Sequence, residues 1–322
     1  MANPRDWSAR IGRRVRLRDL HVLFAVVQLG SMAKAGSHLG MSQSAVSQAI
    51  AALEGSLQVP LLDRTPRGVE VTAYGAAVLR RGRAAFDELK MAVQEIESLS
   101  DPTGGEIRIA CAESIAAGFL PTVIERFVER YPRVKLNVYQ TTPHLTGFHA
   151  LHERTADAVF TLMPKPFEED LGDRLQAEVL FHDRVCLAAG ADSAWARRRK
   201  IRPAELANAA IVSPAPDTPG GAAVVEALRA AGVAGPQIMT FSVHLRTILS
   251  LNGPFIAVVP QSILRFNPGR YPLTELRVDM PMPRPPALLV TLRNRTLSPP
   301  VQRFIELARE VARGRPSNKR DA

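Results

Sequence analysis

The 322-residue chain lacks the features that mark secreted, disulfide-stabilised and membrane-spanning proteins. Its two cysteines, Cys111 and Cys186, are too few for a disulfide framework. No apolar run approaches the roughly 18 residues that cross a bilayer, so we expect no membrane partner. The arginine-rich residues 1–16 lack the apolar segment of a secretory signal, and we interpret them as the basic arm of a cytoplasmic protein.

Catalytic and metal-binding patterns are also missing. The segment 217–221 is rich in glycine but lacks the strand and lysine of a phosphate-binding loop. Ser114 has no Gly-x-Ser-x-Gly turn around it, and His144, His149 and His152 fit a solvated helix face better than a zinc site. We therefore predict a protein that is not an enzyme and holds no metal or cofactor.

The two cysteines lie in apolar, strand-like runs. Such surroundings favour buried structural thiols, and a redox switch is the alternative. The formal net charge of +10 favours a polyanionic partner, although charge alone does not separate nucleic acid from an anionic membrane.

Residues 31–53 predict two short helices joined by a tight turn at Gly40. On the second helix, Val46, Ile50 and Leu53 share one face, which must pack on a core. The opposite face is polar and uncharged, and it consists of Gln43, Ser44, Ser47 and Gln48. Amides and hydroxyls of this kind bind base edges and phosphates of double-stranded DNA in the major groove. The alternative is an ordinary amphipathic hairpin with a solvated polar face.

The flanking residues favour DNA binding. Ser31 and Ser42 precede the two helices as N-caps, at positions where they can also contact phosphate. Residues 65–72 predict a β-hairpin with Arg67 and Gly68 at its tip, and Pro66 restricts its first strand to an edge. Cations beside a groove-reading helix bind phosphates or the minor groove, and the candidates are Lys34, Arg64 and Arg67. The pattern over 17–73 is that of a winged helix-turn-helix.

Residues 17–72 resemble the DNA-binding domain of LysR-type transcriptional regulators. The matching pieces follow the family's order and spacing, and they are Leu-Arg-Asp-Leu, Gly-Ser-Met-Ala-Lys-Ala-Gly-Ser-His-Leu, Ser-Gln-Ser-Ala-Val-Ser-Gln-Ala-Ile, Leu-Glu, Val-Pro-Leu-Leu-Asp-Arg and Val-Thr-Ala-Tyr-Gly. The chain departs from the family at Ser44 (commonly Pro), Gln48 (often basic), Gln58 (usually Gly) and Leu62 (frequently Phe). We expect a left-handed backbone at Gln58, and base preferences of its own from Gln48.

A long helix over 74–101 follows the hairpin. Its heptad stripe consists of Leu79, Phe86, Leu89, Val93 and Ile96. Such a stripe packs either on its own domain or on a second subunit, and two reading heads on palindromic DNA favour the second. The resemblance implies a linker helix that pairs subunits, within a homo-oligomer that is a dimer or a dimer of dimers.

The rest of the chain alternates strands and helices, which predicts an α/β fold with a parallel, doubly wound sheet. The resemblance implies more for residues 106–315: two lobes similar to periplasmic solute-binding proteins, with an effector cleft between them. By that analogy lobe one comprises 106–164 and 267–313, and lobe two comprises 165–266. The expected fold class is α/β with an all-α N-terminal part.

Polar residues at predicted strand ends are the candidates for contacts with the effector, because strand ends in such folds open onto a crevice. They are Ser114, Thr141, Thr142, His144, Ser213, Ser242 and His244. Each is alternatively an ordinary helix cap. We predict a DNA-binding regulator that responds to a small polar or carboxylate effector. A solute-binding receptor for transport is the disfavoured alternative, since the chain shows no signal and carries a groove-reading domain.

Overall fold

The computed structural model describes residues 14–65, 68–101, 104–141, 148–163, 171–218, 220–233, 238–267 and 269–314. They form two compact units, one ending at Lys90 and the other beginning at Met91. The first unit contains α1 (Leu17–Leu29), α2 (Met32–Leu39), α3 (Gln43–Leu57), β1 (Leu62–Thr65) and β2 (Gly68–Val71). The helix α4 (Ala73–Ser100) begins in this unit.

The first unit is the predicted winged helix-turn-helix. Val46, Ile50 and Leu53 of α3 are buried in one apolar cluster with α1 and α2. The hairpin pairs Leu62 with Val71 and Thr65 with Gly68. Of its predicted tip, Gly68 begins β2 and Arg67 lies outside the described residues.

Part of the predicted subunit seam packs on its own domain instead. Leu79 is buried in the core of the first unit, and Phe86 packs edge-on against Phe24 of α1, with ring centroids 5.4 Å apart. Gly82 lies between them on α4, where a Cβ would be only 3.0 Å from the Phe24 ring. Leu79 is therefore buried within its own domain, whereas a contact of the half-buried Phe86 with a second subunit stays a prediction, because a heptad stripe looks the same in both settings.

The second unit holds ten strands and seven α-helices among its described residues. In chain order they are β3 (Gly104–Cys111), α5 (Glu113–Ala117), α6 (Leu120–Arg130), β4 (Arg133–Gln140), α7 (His149–His152), β5 (Ala158–Leu162), β6 (Leu175–His182), β7 (Val185–Gly190), β8 (Ile211–Ser213), α8 (Gly221–Ala230), β9 (Ile238–Met239), α9 (Val243–Asn252), β10 (Ile256–Pro260), α10 (Ser262–Arg265), β11 (Leu273–Glu275), β12 (Pro286–Leu292) and α11 (Pro299–Ala312).

These strands form two sheets of matching order, which define the two lobes. Lobe one has the order β4-β3-β5-β12-β6, and lobe two has the order β9-β8-β10-β7-β11. The first three strands of each sheet are parallel, whereas β12 and β7 run antiparallel to both of their neighbours. The parallel pairing predicted from the βαβαβ order is present in these three strands, and the antiparallel additions make each sheet mixed.

The antiparallel strands follow from the way the chain crosses between lobes. Ala287, near the start of β12, pairs with Leu162 at the end of β5. Val185, at the start of β7, pairs with Pro260 at the end of β10. A segment that arrives from the other lobe thus enters its sheet at the end where the parallel strands finish, so it must run in the opposite direction.

The lobe boundaries also differ from the expected ones. Strand β6, placed by analogy in lobe two, pairs with β12 in lobe one, and β11 belongs to lobe two. The chain therefore crosses at Asp183 and returns before Pro286. The two crossing segments are hydrogen-bonded to each other, since the Asp183 amide donates to the Pro285 carbonyl and the Val185 amide to the Pro283 carbonyl, both at 2.9 Å.

A buried ion cluster stabilises lobe one. The Asp157 carboxylate accepts hydrogen bonds from the Arg108 side chain at 2.7 Å, the Arg108 amide at 2.8 Å and the Arg295 side chain at 2.9 Å. Asp157 is 4% exposed and Arg295 is 7% exposed. Removal of one member of such a cluster leaves buried charge without its counter-charge, which costs far more than breaking a surface pair.

We expect Asp157→Ala to lower the free energy of unfolding of the second unit by about 3–5 kcal/mol. The control is Asp101→Ala, which breaks an exposed pair with Arg133 and should cost less than about 1 kcal/mol. Urea denaturation followed by circular dichroism measures both changes. Equal, small shifts of the two midpoints would contradict the assigned role of the cluster.

Candidate nucleic-acid interface and ligand cavity

Helix α3 presents the predicted polar face to solvent. Gln43, Ser44 and Gln48 are exposed and Ser47 is partly buried. The helix begins after Ser42, whose Oγ accepts a hydrogen bond from the Ala45 amide at 3.1 Å and lies 2.9 Å from Ser44 Oγ. The exposed members of this face can therefore meet a flat or grooved partner.

The residues in and around α3 include a helix cap, the predicted phosphate-binding cations and a carboxylate that anchors the hairpin. Ser31 caps α2 by accepting from the amide of Lys34, which is itself exposed. Arg64 lies in β1, and its side chain is outside the described part, as is all of Arg67. The hairpin is fixed to α3 by Glu54, whose Oε1 accepts from the Leu61 amide at 2.7 Å and the Leu62 amide at 3.2 Å.

The end of α3 confirms the expectation for Gln58. Its backbone is left-handed, with φ of 59°, and its amide donates to the Glu54 carbonyl at 2.7 Å. An L-residue adopts this conformation at a cost of about 1–2 kcal/mol. The family's usual glycine avoids that cost, so the surrounding turn holds Gln58 in place.

The later part of α4 carries an exposed apolar stripe. Leu89, Val93, Ile96 and Leu99 are 48%, 55%, 64% and 80% exposed. Apolar side chains in one continuous stripe on a helix mark an interaction surface rather than ordinary surface scatter. Three of the five residues predicted for the seam, namely Leu89, Val93 and Ile96, are thus available to a partner.

A cavity of about 150 Å³ opens between the two lobes. Its wall is mostly apolar, with a few hydroxyl and charged groups, and it consists of Ala112, Glu113, Ser114, Thr141, Thr161, Leu162, Val185, Pro214, Thr218, Gly220, Val224, Phe241, Val243, Arg246, Val258, Val259, Pro260 and Pro285. Apolar cavities with a small number of placed polar groups are the usual form of a small-molecule site.

The cavity contains two of the residues predicted to contact an effector, Ser114 and Thr141. Thr142 and His144 lie outside the described residues. None of Ser213, Ser242 and His244 belongs to the described part of the wall, and their contact with an effector stays a prediction.

Each of these three residues has a specific reason for its absence from the wall. Ser213 is fully buried, and its hydroxyl donates to the Pro214 carbonyl at 3.0 Å. The Ser242 hydroxyl caps α9, and His244 is exposed to solvent. The N-terminus of α9 is already occupied by a carboxylate, since Glu113 Oε1 accepts from Ser242 Oγ at 3.1 Å and from the His244 amide at 3.2 Å.

Arg246 is the functional residue that sequence reasoning missed. It lines the cavity and is only 4% exposed. Its Nη1 donates to the Thr240 carbonyl at 2.7 Å, while its buried Nε has no partner. Burial lowers the pKa of the guanidinium to about 10, and the nearby Glu113 opposes that shift. One signal was present: Arg246 shares a face of α9 with Val243, Thr247 and Ser250, all of them buried.

Both cysteines are buried, Cys111 in β3 of lobe one and Cys186 in β7 of lobe two. Burial is the main reason that the pKa of each thiol is raised to about 12. A thiol of this kind forms almost no thiolate at neutral pH, which favours the structural interpretation over a redox switch. In the described ranges, no helix is long and apolar enough to cross a membrane.

Comparisons with known proteins agree with the two-part architecture. The family model for bacterial regulatory helix-turn-helix proteins of the lysR family matches residues 17–76, and the LysR substrate binding domain model matches residues 100–313. The chain belongs to the LysR family of transcriptional regulators. It therefore combines a helix-turn-helix DNA-binding domain with an effector-binding domain. The transport-receptor alternative finds no support, because both models are those of regulators.

Relatives along the whole chain are also regulators. The uncharacterized HTH-type transcriptional regulator YfeR of Shigella flexneri is 27% identical, over 91% of this chain and 93% of that protein. The SDS degradation transcriptional activation protein of a Pseudomonas strain is 28% identical, over 88% and 92%.

Two solved structures share the fold. A full-length OxyR variant from Pseudomonas aeruginosa has a TM-score of 0.61 at 16% identity, over 93% of this chain and 95% of that one. Full-length CbnR complexed with its target DNA has a TM-score of 0.60 at 20% identity, over 92% and 99%.

We expect Val93→Asp to shift the protein toward the monomer, because burying an unpaired carboxylate in a helix–helix seam costs several kcal/mol. Gln94→Asp is the matched control, since at about 100° per residue it lies on another side of α4. Analytical ultracentrifugation at micromolar concentration measures the mass of each variant. An unchanged mass for a folded Val93→Asp protein would remove the stripe from the subunit interface.

Proposed function

We propose that this LysR-family regulator works in the cytoplasm without catalytic chemistry of its own, and that a small molecule with an anionic group binds between its lobes and controls transcription. The observation that carries the proposal is Arg246, a buried cation in the wall of a mostly apolar cavity. A cation in such surroundings attracts an anion much more strongly than it would in water.

The DNA-reading role falls to the exposed face of α3. The major groove is contacted by Gln43, Ser44, Ser47 and Gln48, which read base edges or position the helix. The phosphate backbone is held by Lys34, Arg64 and Arg67. Support comes from the exposure of most of the described members of this set and from CbnR, a structural neighbour solved with its target DNA. The exposed stripe on α4 pairs two subunits, which brings two reading heads to one operator.

We expect Gln48→Ala to change base preference, because a bidentate contact between glutamine and adenine contributes about 1–3 kcal/mol of discrimination. Lys34→Ala is the contrast, because loss of a phosphate contact should weaken binding to all duplexes similarly. It should also reduce the slope of log affinity against log salt concentration by roughly one. Binding curves on cognate and scrambled duplexes at several salt concentrations separate the two effects. An equal loss on both duplexes for Gln48→Ala would contradict base reading.

The effector contacts are assigned to the polar part of the cavity wall. Arg246 from lobe two and the hydroxyl-bearing Ser114 and Thr141 from lobe one line the same cavity. An anionic effector would accept hydrogen bonds from all three, so its binding energy would favour one spacing of the lobes. Differential binding of this kind is what lets a ligand shift a conformational equilibrium.

We expect Ser114→Leu to abolish the effector response and to leave operator binding without effector within about twofold, since it fills the cavity far from the reading face in sequence. Ser114→Ala serves as the control, because it removes the hydroxyl and keeps the space. A reporter driven by the regulated promoter, with gel-shift titration of purified protein, gives both readouts. A normal response in Ser114→Leu would place the effector elsewhere.

A further inference from the structure

Among the described residues, the cavity wall carries one cation and one anion. Arg246 comes from α9 of lobe two and Glu113 from α5 of lobe one. The remaining wall consists of apolar side chains and a few hydroxyls, so these two residues supply the formal charges that a ligand would meet there. A ligand that fits the cavity must be complementary to both.

Arg246 is ready to bind an anion. A guanidinium has five N–H donors, and the hydrogen bond to the Thr240 carbonyl is the one that it makes within the described ranges. It is paired with no carboxylate in that part of the chain, and its buried Nε is without an acceptor. Buried donors are almost always satisfied in native proteins, so an unsatisfied one beside a cavity indicates a missing partner.

Glu113 is held in position, and among the described residues no donor is hydrogen-bonded to its Oε2. Both of its hydrogen bonds, from Ser242 Oγ and from the His244 amide, end on Oε1. These bonds fix the side chain at the start of α9, where the helix dipole also favours a negative charge. Oε2 is then left to accept from a donor in the cavity.

We propose that the effector is a small zwitterion of the α-amino-acid type, whose carboxylate pairs with Arg246 and whose ammonium group pairs with Glu113. This inference rests on the proposed function, since it names the chemical class that the same cavity takes. A simple carboxylate would put a second negative charge near Glu113, which is unfavourable. A zwitterion instead compensates both charges.

The size of the cavity and its walls define the rest of the molecule. A cavity of about 150 Å³ is of the size that admits benzene, which limits the ligand to roughly six to ten non-hydrogen atoms. Val185, Val224 and Val258 contribute to the wall, so the side chain of the ligand is expected to be short and apolar.

Matched ligands test the proposal with the full-length protein. The probes are L-alanine, L-valine and L-leucine, each with its des-amino acid (propanoate, 3-methylbutanoate, 4-methylpentanoate) and its decarboxylated amine (ethylamine, 2-methylpropylamine, 3-methylbutylamine). We expect at least one amino acid to bind, by calorimetry, at least about tenfold more tightly than both of its analogues, because each analogue leaves either Arg246 or Glu113 without a ligand group of opposite charge. Absence of binding by all three amino acids, or equal binding of an amino acid and its des-amino acid, would overturn the inference.

Two charge-removing variants provide a second, independent readout. Glu113→Gln keeps an oxygen acceptor for Ser242 and His244, so the link between lobes is retained while the charge is lost. We expect it to reverse the preference, with weaker binding of the amino acid and tighter binding of the des-amino acid. Arg246→Gln should lose both. Glu226→Gln and Arg229→Gln, on the exposed side of α8, are the matched controls and should change neither affinity.

The variants separate this inference from the proposed function. If Glu113→Gln leaves the amino-acid affinity unchanged, the zwitterion assignment is wrong. In that case an effector response that Ser114→Leu abolishes still supports an effector in this cavity. If the response survives in Ser114→Leu, the proposed cavity itself is wrong. A purely structural role for Glu113 would lower the affinity for both ligands together and would not reverse the preference.

Discussion

The second unit depends on one topological constraint: the chain builds two lobes and has to cross between them twice. Each crossing enters the new sheet at the end where its parallel strands finish, so β7 and β12 must run against their neighbours. The two crossing segments are then hydrogen-bonded side by side through Asp183, Val185 and the carbonyls of Pro285 and Pro283. The same ends of the strands contribute Ala112, Thr161, Leu162, Val258 and Pro260 to the cavity. The cavity and the paired crossing segments therefore have the same topological origin.

The electrostatics of the cavity follow from this arrangement. Lobe two contributes an arginine that is almost entirely buried, and lobe one contributes a carboxylate whose position is fixed by the start of α9. Burial penalises the charged form of Arg246 and lowers its pKa, and Glu113 opposes that effect. At a pKa of about 10 the side chain still carries its charge at neutral pH, so it remains a strong ligand for an anion.

Local patterns in the sequence predicted local structure well. The polar face of α3 and the cap that begins it depend on residues only a few positions apart in the sequence, and the structure contains both. The left-handed Gln58 was expected from its place in a helix-ending turn. The long-range features were harder to predict. Strand β6 is a half-buried edge strand without clear alternation, and its pairing with β12 joins residues more than a hundred positions apart.

The limits of the site prediction have the same origin. A residue at the end of a strand is near the crevice, but the pattern does not say where its side chain lies. Ser242 and His244 were expected to meet an effector, and in the structure they bind Glu113, which is 129 and 131 residues away in sequence. Arg246 was missed because an arginine in an amphipathic helix is ordinarily exposed. The heptad stripe of α4 predicted apolar packing correctly for Leu79 and Phe86, but it did not show that both pack on their own domain.

Glu113 belongs to the wall of the cavity and also to the hydrogen-bonded joint between the lobes. A single carboxylate that serves both places makes them thermodynamically linked: whatever changes its charge environment in the cavity also changes the free energy of separating the lobes. Linkage of this kind is reciprocal, so the spacing of the lobes sets the ligand affinity to the same extent that the ligand sets the spacing. The chain thus needs no relay of intervening residues to couple occupancy to shape, because one side chain takes part in both equilibria.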